Sequence, residues 1–88
     1  MRLTLRGDLD YASVHGLENK LRELKQEAVP VRVNLSQIEF LDSGGLGSLI
    51  TAVTQARRSG WKFEIERNVP ASVEDRFRHT GLANLLDW

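Results

Sequence analysis

The period of apolar positions changes five times along the chain, and each change marks an element. Leu3 and Leu5 alternate with Arg2, Thr4 and Arg6, the pattern of a strand with one buried face, and Gly7-Asp8-Leu9-Asp10 is expected to break it. Val14, Leu17, Leu21, Leu24 and Ala28 then recur every three or four residues, predicting a helix over roughly residues 12 to 28. Its far side carries Glu18, Lys20, Arg22, Glu23, Lys25 and Glu27, with Glu18 and Arg22 one turn apart. Pro30 cannot extend that helix and opens a second strand, Val31, Val33 and Leu35, alternating with Arg32 and Asn34. Residues 36 to 40 read as a short connection that returns Ile38 and Phe40 to the core.

A second helix follows from about Gly44 to Ser59, with Leu46, Leu49, Ile50, Val53 and Ala56 as its apolar stripe. Arg57 and Arg58 suit its negative end, and Gly60 is suited to stop it. Trp61, Phe63 and Ile65 form a third alternating strand. Asn68 is placed to cap a third helix that has Pro70 in its first turn. Val73, Phe77 and Thr80 are assigned inward positions, Gly81 ends that helix, and Leu82, Leu85 and Leu86 close the domain. Strand–helix alternation predicts a parallel sheet with right-handed crossovers. Strands buried on both faces would be apolar throughout. These alternate, so the expected fold is an α/β sheet of mainly parallel strands with all helices packed on one face. The other face shows Arg2, Arg6, Arg32, Lys62, Glu64 and Glu66 to water or a partner.

At 88 residues the chain fits a single domain spanning 1–88. A domain of this size buries roughly 60% of its unfolded surface, and with no cysteine it must rest on packing alone. Twelve basic against 12 acidic residues give no net charge, which argues against a domain built to hold nucleic acid. Arg57, Arg58, Arg76 and Arg78 are offset by Glu74 and Asp75 and read as a solvated face. The first residues alternate and do not form a basic stretch before an apolar run, so no signal peptide is expected. No stretch reaches the roughly 18 apolar residues of a membrane span, so no membrane insertion is expected. The expected location is cytoplasmic.

Phe40-Leu41-Asp42-Ser43-Gly44-Gly45-Leu46-Gly47 is the segment with chemical content. Three glycines in four residues weaken a helix start by roughly 1 kcal/mol each relative to alanine. One reading is close packing on the sheet, with Asp42 or Ser43 as a simple N-cap. Another is a helix N-terminus whose N–H groups and positive dipole end stay open to an oxyanion, with Ser43 as a hydroxyl where phosphate is tolerated. Functional groups in open α/β sheets collect beyond the carboxyl ends of strands, which would gather Asp8, Asp10, Asp42 and Ser43 on one rim.

Enzyme readings are weaker. Ser43 with His15 or His79 lacks the Gly-x-Ser-x-Gly turn, and both histidines are expected on the surface. The three aspartates resemble an acidic magnesium pocket only in spacing; the plainer reading is a turn that caps the first helix. The glycine-rich turn lacks the Gly-x-x-x-x-Gly-Lys pattern of a phosphate-binding loop. No catalytic residues, metal or cofactor are expected.

Val33-Asn34-Leu35-Ser36-Gln37-Ile38-Glu39-Phe40 followed by Leu41-Asp42-Ser43-Gly44-Gly45-Leu46-Gly47 resembles the signature of STAS domains, in particular bacterial anti-sigma factor antagonists. Gly7-Asp8-Leu9-Asp10 is similar to that family's Gly-Glu-Leu-Asp, and Thr80-Gly81-Leu82 to its closing motif. The resemblance implies a STAS-like fold and a non-enzymatic protein-binding module in transcription regulation. It implies phosphorylation at Ser43 by an anti-sigma kinase, and resetting by a serine phosphatase. It implies a partner surface of Asp8, Asp10, Asp42, Ser43, Gly44, Gly45 and Leu46. Two features depart from the pattern. The family's additional N-terminal strand has no counterpart after Met1: either the chain starts further upstream, or the domain was excised, or a sheet edge is left bare, and a bare edge makes self-association an expectation. Gly44 stands where antagonists often carry serine or alanine. Asp42-Ser43-Gly44-Gly45-Leu46 also resembles the STAS subunit of lipid-trafficking ABC transporters, whose partner is the ATPase subunit.

Overall fold

The computed structural model describes residues 1–88. It turns the periodicities into β1 (Arg2–Leu9), α1 (Val14–Gln26), β2 (Val31–Leu41), α2 (Ser43–Ser59), β3 (Phe63–Ile65), α3 (Ala71–Thr80) and α4 (Leu82–Leu85). The three strands are parallel, in the order β1-β2-β3, with Leu3 beside Val33 and Val33 beside Ile65. Leucine, valine and isoleucine from one sheet face meet the stripes of the helices in a single core of 21 buried residues. Phe77, Leu35, Leu49, Leu82 and Val33 are its most deeply buried side chains. Gly60 and Gly81 end α2 and α3 in left-handed backbone conformations, as anticipated.

The helix-free face is polar, as the alternation required. Arg2 pairs with Glu66 at 2.7 Å and Arg32 with Glu64 at 3.7 Å. Asn34 is the one buried polar residue of the chain, and it lies on this face. Its amide donates to Glu66 at 3.1 Å and accepts from the Ser36 N–H at 2.9 Å and the Ser36 hydroxyl at 2.6 Å. Arg2, donating to the Glu66 carboxylate, holds that group below its ordinary pKa. The lattice gives the sheet a finished surface where no helix covers it.

Several local expectations change. Residues 36 to 40 continue β2 rather than connect it to α2. The register explains this. From Thr4 to Arg6 the partner advances from Asn34 to Gln37, and from Gly7 to Asp8 it advances from Ile38 to Phe40. β2 therefore carries an extra residue at each shift, and each bulge resets which side chain faces inward. Ile38 and Leu41 enter the core, but Phe40 is turned outward beside Asp8 and is 54% exposed. β1 does not stop at Gly7; that residue takes φ of 74°, open to glycine, and the strand bends and continues to Leu9. Asn68 does not cap α3. The Pro70 carbonyl accepts from Val73 and Glu74, and Pro70 itself is the N-cap. Thr80 is exposed, and its hydroxyl donates back to the Arg76 carbonyl at 2.8 Å.

Candidate functional site

The carboxyl ends of β1 and β2 are neighbours, with Leu9 beside Leu41, so the segments after them share one rim. Asp42 is its hinge. Its extended backbone makes it the N-cap of α2, and one carboxylate oxygen accepts from the Gly45 N–H at 2.8 Å. The other accepts from the Tyr11 N–H at 3.0 Å, across from the β1–α1 loop. The Asp42 N–H donates to the Leu9 carbonyl at 3.3 Å. One side chain thus ties the start of α2 to the loop after β1.

The Asp42 carboxylate sits on the start of α2 and takes the Gly45 N–H, which is therefore not open to an incoming anion. Two of the three glycines, Gly44 and Gly45, stand in close approach, whereas Gly47 has open space around it. A methyl on Gly45 would lie 2.3 Å from the Leu9 carbonyl oxygen, and one on Gly44 would lie 3.3 Å from Asp42 Oδ1 and 3.4 Å from Tyr11 Cα.

The Gly45 N–H, and after it the Tyr11 N–H, holds the Asp42 carboxyl below the usual aspartate range. A lowered pKa means that the carboxylate contributes stability above its unfolded pKa of about 3.9, and that this is lost as pH falls through the folded value. Asn at position 42 keeps a capping oxygen and removes the charge. Wild type is therefore expected to exceed Asp42→Asn in urea midpoint at neutral pH, with the gap closing as pH drops below about 4. An equal gap at both pH values would contradict the assignment.

Asp10 caps the turn ahead of α1. Its carboxylate accepts from the Ser13 N–H at 2.9 Å, while the Ser13 hydroxyl accepts from the Asp10 N–H at 3.0 Å and donates to the Asp8 carbonyl at 2.9 Å. The Asp8 side chain is free of this turn and exposed. Ser43 is exposed at the first position of α2. Asp10, Asp42 and Gly44 are half-buried. Gly45 and Leu46 are buried, Leu46 at 5% exposure, so they hold the rim from beneath and present no side chain to solvent. No three of the chain's His, Asp and Glu side chains lie close enough to hold a metal ion. His15 lies 3.4 Å from Glu18 and His79 2.7 Å from the Asp75 carbonyl, so neither is hydrogen-bonded to Ser43.

Tyr11 lies outside the sequence reading, and Phe40 departs from the core position assigned to it. Tyr11 is 72% exposed, and its ring meets that of His15 edge-on at 5.7 Å. Phe40 stands beside Asp8 on the sheet face. With Met1 they are the chain's only exposed large hydrophobic residues. Tyr11 carried a signal, an aromatic side chain in a turn whose polar residues are Asp8, Asp10 and Ser13. Phe40 carried none, because its exposure depends on the bulge.

Residues 1–87 match the family described as "Mlab, STAS domain". The chain is also similar to the anti-sigma-B factor antagonist of Bacillus subtilis (strain 168), with 25% identity over 87 residues, covering 99% of this chain and 79% of that protein. No helix is long and apolar enough to cross a membrane. The parallel sheet with its one-sided helix layer, the Asp42-Ser43 cap and the match over nearly the whole chain have one reading: the chain belongs to the STAS domain family.

Proposed function

We propose that this domain is an anti-sigma factor antagonist-like binding module, switched by phosphorylation of Ser43 by a partner anti-sigma kinase and reset by a serine phosphatase. The observation that carries this reading is the setting of Ser43: an exposed hydroxyl at the start of α2, on a rim that also bears the exposed rings of Tyr11 and Phe40. Exposed aromatic side chains are the usual anchors of protein interfaces. The similarity to an anti-sigma-B factor antagonist supports the choice of partner class. The module acts by binding, without turnover, in the cytoplasm, and needs neither nucleic acid nor membrane insertion.

The geometry supports a switch. Phosphate adds about −1.5 to −2 charges and three acceptor oxygens. Asp42 already occupies the Gly45 N–H, so the new anion is not absorbed into the helix start. It stays outward, next to Asp42 and on the rim of Asp8 and Asp10, where a docking partner must desolvate it. The fold is untouched, because Ser43 carries no side-chain hydrogen bond in the structure and is exposed.

Ser43→Ala is expected to bind an anti-sigma kinase as tightly as wild type. Ser43→Asp is expected to keep the wild-type urea midpoint and bind at least about tenfold more weakly, a difference of 1.4 kcal/mol. Calorimetric titration measures both, and equal affinities would overturn the switch.

One observation favours a second reading of the same surface. Gly44 stands where antagonists often carry serine or alanine, and a methyl there would sit 3.3 Å from Asp42 Oδ1 and 3.4 Å from Tyr11 Cα, a close but not excluded fit. That departure fits the STAS subunit of a lipid-trafficking transporter, docked on its ATPase subunit without obligatory phosphorylation. Under that reading Ser43→Ala and Ser43→Asp are both expected to leave the anti-sigma kinase unbound.

A further inference from the structure

Tyr11 stands in the turn between β1 and α1, and its main chain is held from outside that turn. Its N–H donates to one Asp42 carboxylate oxygen at 3.0 Å, while the other oxygen takes the Gly45 N–H. Its Cα and Cβ lie over Gly44, where an added methyl would stand 3.4 Å and 3.5 Å from them. The turn itself is closed by reciprocal hydrogen bonds between Asp10 and Ser13. The ring is held far less. Tyr11 is 72% exposed, and the aromatic neighbour of its ring is His15, edge-on at 5.7 Å. A fixed backbone under a free ring is preorganised for docking. No loop has to be ordered when a partner closes over it, and a tyrosine has only two side-chain torsions to lose. Ser43 lies in the chain between Asp42 and Gly44, the two residues that hold Tyr11.

We infer that Tyr11 is the anchor of the docking rim and that Asp42 is its positioning residue, acting on the partner through the Tyr11 main chain and not by contact. This rests on the reading of the rim as a docking surface and names the residue that surface is built around. Both Asp42 carboxylate oxygens are engaged within the domain and the residue is half-buried, so it offers a partner less than the exposed Asp8. A phosphate on Ser43 then rises beside the anchor, where a partner closing over the Tyr11 ring has to meet it.

Asp42→Ser separates the two bonds. Serine caps a helix about as well as aspartate, but its single oxygen serves the start of α2 and leaves none for Tyr11. In the free domain the Tyr11 N–H is expected to exchange at least about tenfold faster in this variant, while the Ser13 N–H, bonded to Asp10, keeps its rate. Asp42→Asn, also left with one acceptor oxygen, repeats the measurement. Binding is read by calorimetric titration with an anti-sigma kinase and with a transporter ATPase subunit, and a double-mutant cycle is run on whichever the wild type binds. Tyr11→Ala is expected to weaken binding at least about tenfold, and Asp42→Ser to weaken it less. The double variant is expected to bind within about twofold of Tyr11→Ala alone. Additive losses would make Asp42 a contact in its own right and overturn the inference. So would an unchanged Tyr11 exchange rate, or a Tyr11→Ala loss under about twofold. A wild type that binds neither protein would overturn the reading of the rim itself, and the inference with it.

Discussion

Gly45→Ala is expected to destabilise the domain by about 3 kcal/mol, at the upper end of the usual cost of overpacking. The added methyl would stand 2.3 Å from the Leu9 carbonyl oxygen and 3.0 Å from Leu41 Cδ1. The first of these is backbone, so no side-chain rotation relieves it; α2 must move away from β1. That motion also stretches the Asp42 bonds to Gly45 and Tyr11. A domain of 88 residues has about 4–13 kcal/mol of stability in total, so the loss is a large share of it. Gly47→Ala is the control in the same helix. Nothing lies within 4 Å of its added methyl, and it is expected to stabilise by about 0.5–1 kcal/mol through helix propensity. Urea midpoints with unchanged m-values measure both. If Gly45→Ala cost no more than Gly47→Ala, the close approach of α2 to β1 would be wrong.

Phe77→Ala is expected to cost about 3–5 kcal/mol. Phe77 has no exposed surface, and its ring lies 5.6 Å from that of Trp88. Together with Leu82, also fully buried, it fastens α3 and α4 to the rest of the core. Removing it leaves a cavity between elements joined by short links, and the C-terminal segment loses the surface it packs on. Thr80→Ala, at an exposed position of the same helix, is expected to change stability little. A Phe77→Ala loss under 1 kcal/mol by urea unfolding would mean that the C-terminal helices are not part of the cooperative core.

The outline of the fold was legible because strands and helices differ in period, and this chain keeps each period cleanly where packing is regular. Leu46, Leu49, Val53 and Ala56 lie buried as spaced, and the alternation of Val31, Val33, Phe63 and Ile65 with charged residues correctly implied an uncovered sheet face. The misreadings fall where backbone geometry departs from an ideal element. Two bulges extend β2 and turn Phe40 outward, and neither leaves a mark in the pattern of side chains. A glycine at positive φ carries β1 past the residues expected to end it. At the rim, the residue types offered Asp42 or Ser43 as the cap, and Asp42 takes that place. They did not give its second bond to the Tyr11 N–H, since that contact is made 31 residues away and depends on the parallel pairing. The polar lattice of Asn34, Ser36, Glu66 and Arg2 was likewise visible only as exposed charge, because Asn34 is buried by its neighbours on the open face.

The central claim is that Ser43 is a phosphorylation switch on a protein-docking rim. Intact-mass and fragment analysis of the protein isolated from its own cells, with phosphatase inhibitors present, tests it most directly. The account predicts a fraction carrying one phosphate, located on Ser43. Unmodified protein in every growth condition would contradict it.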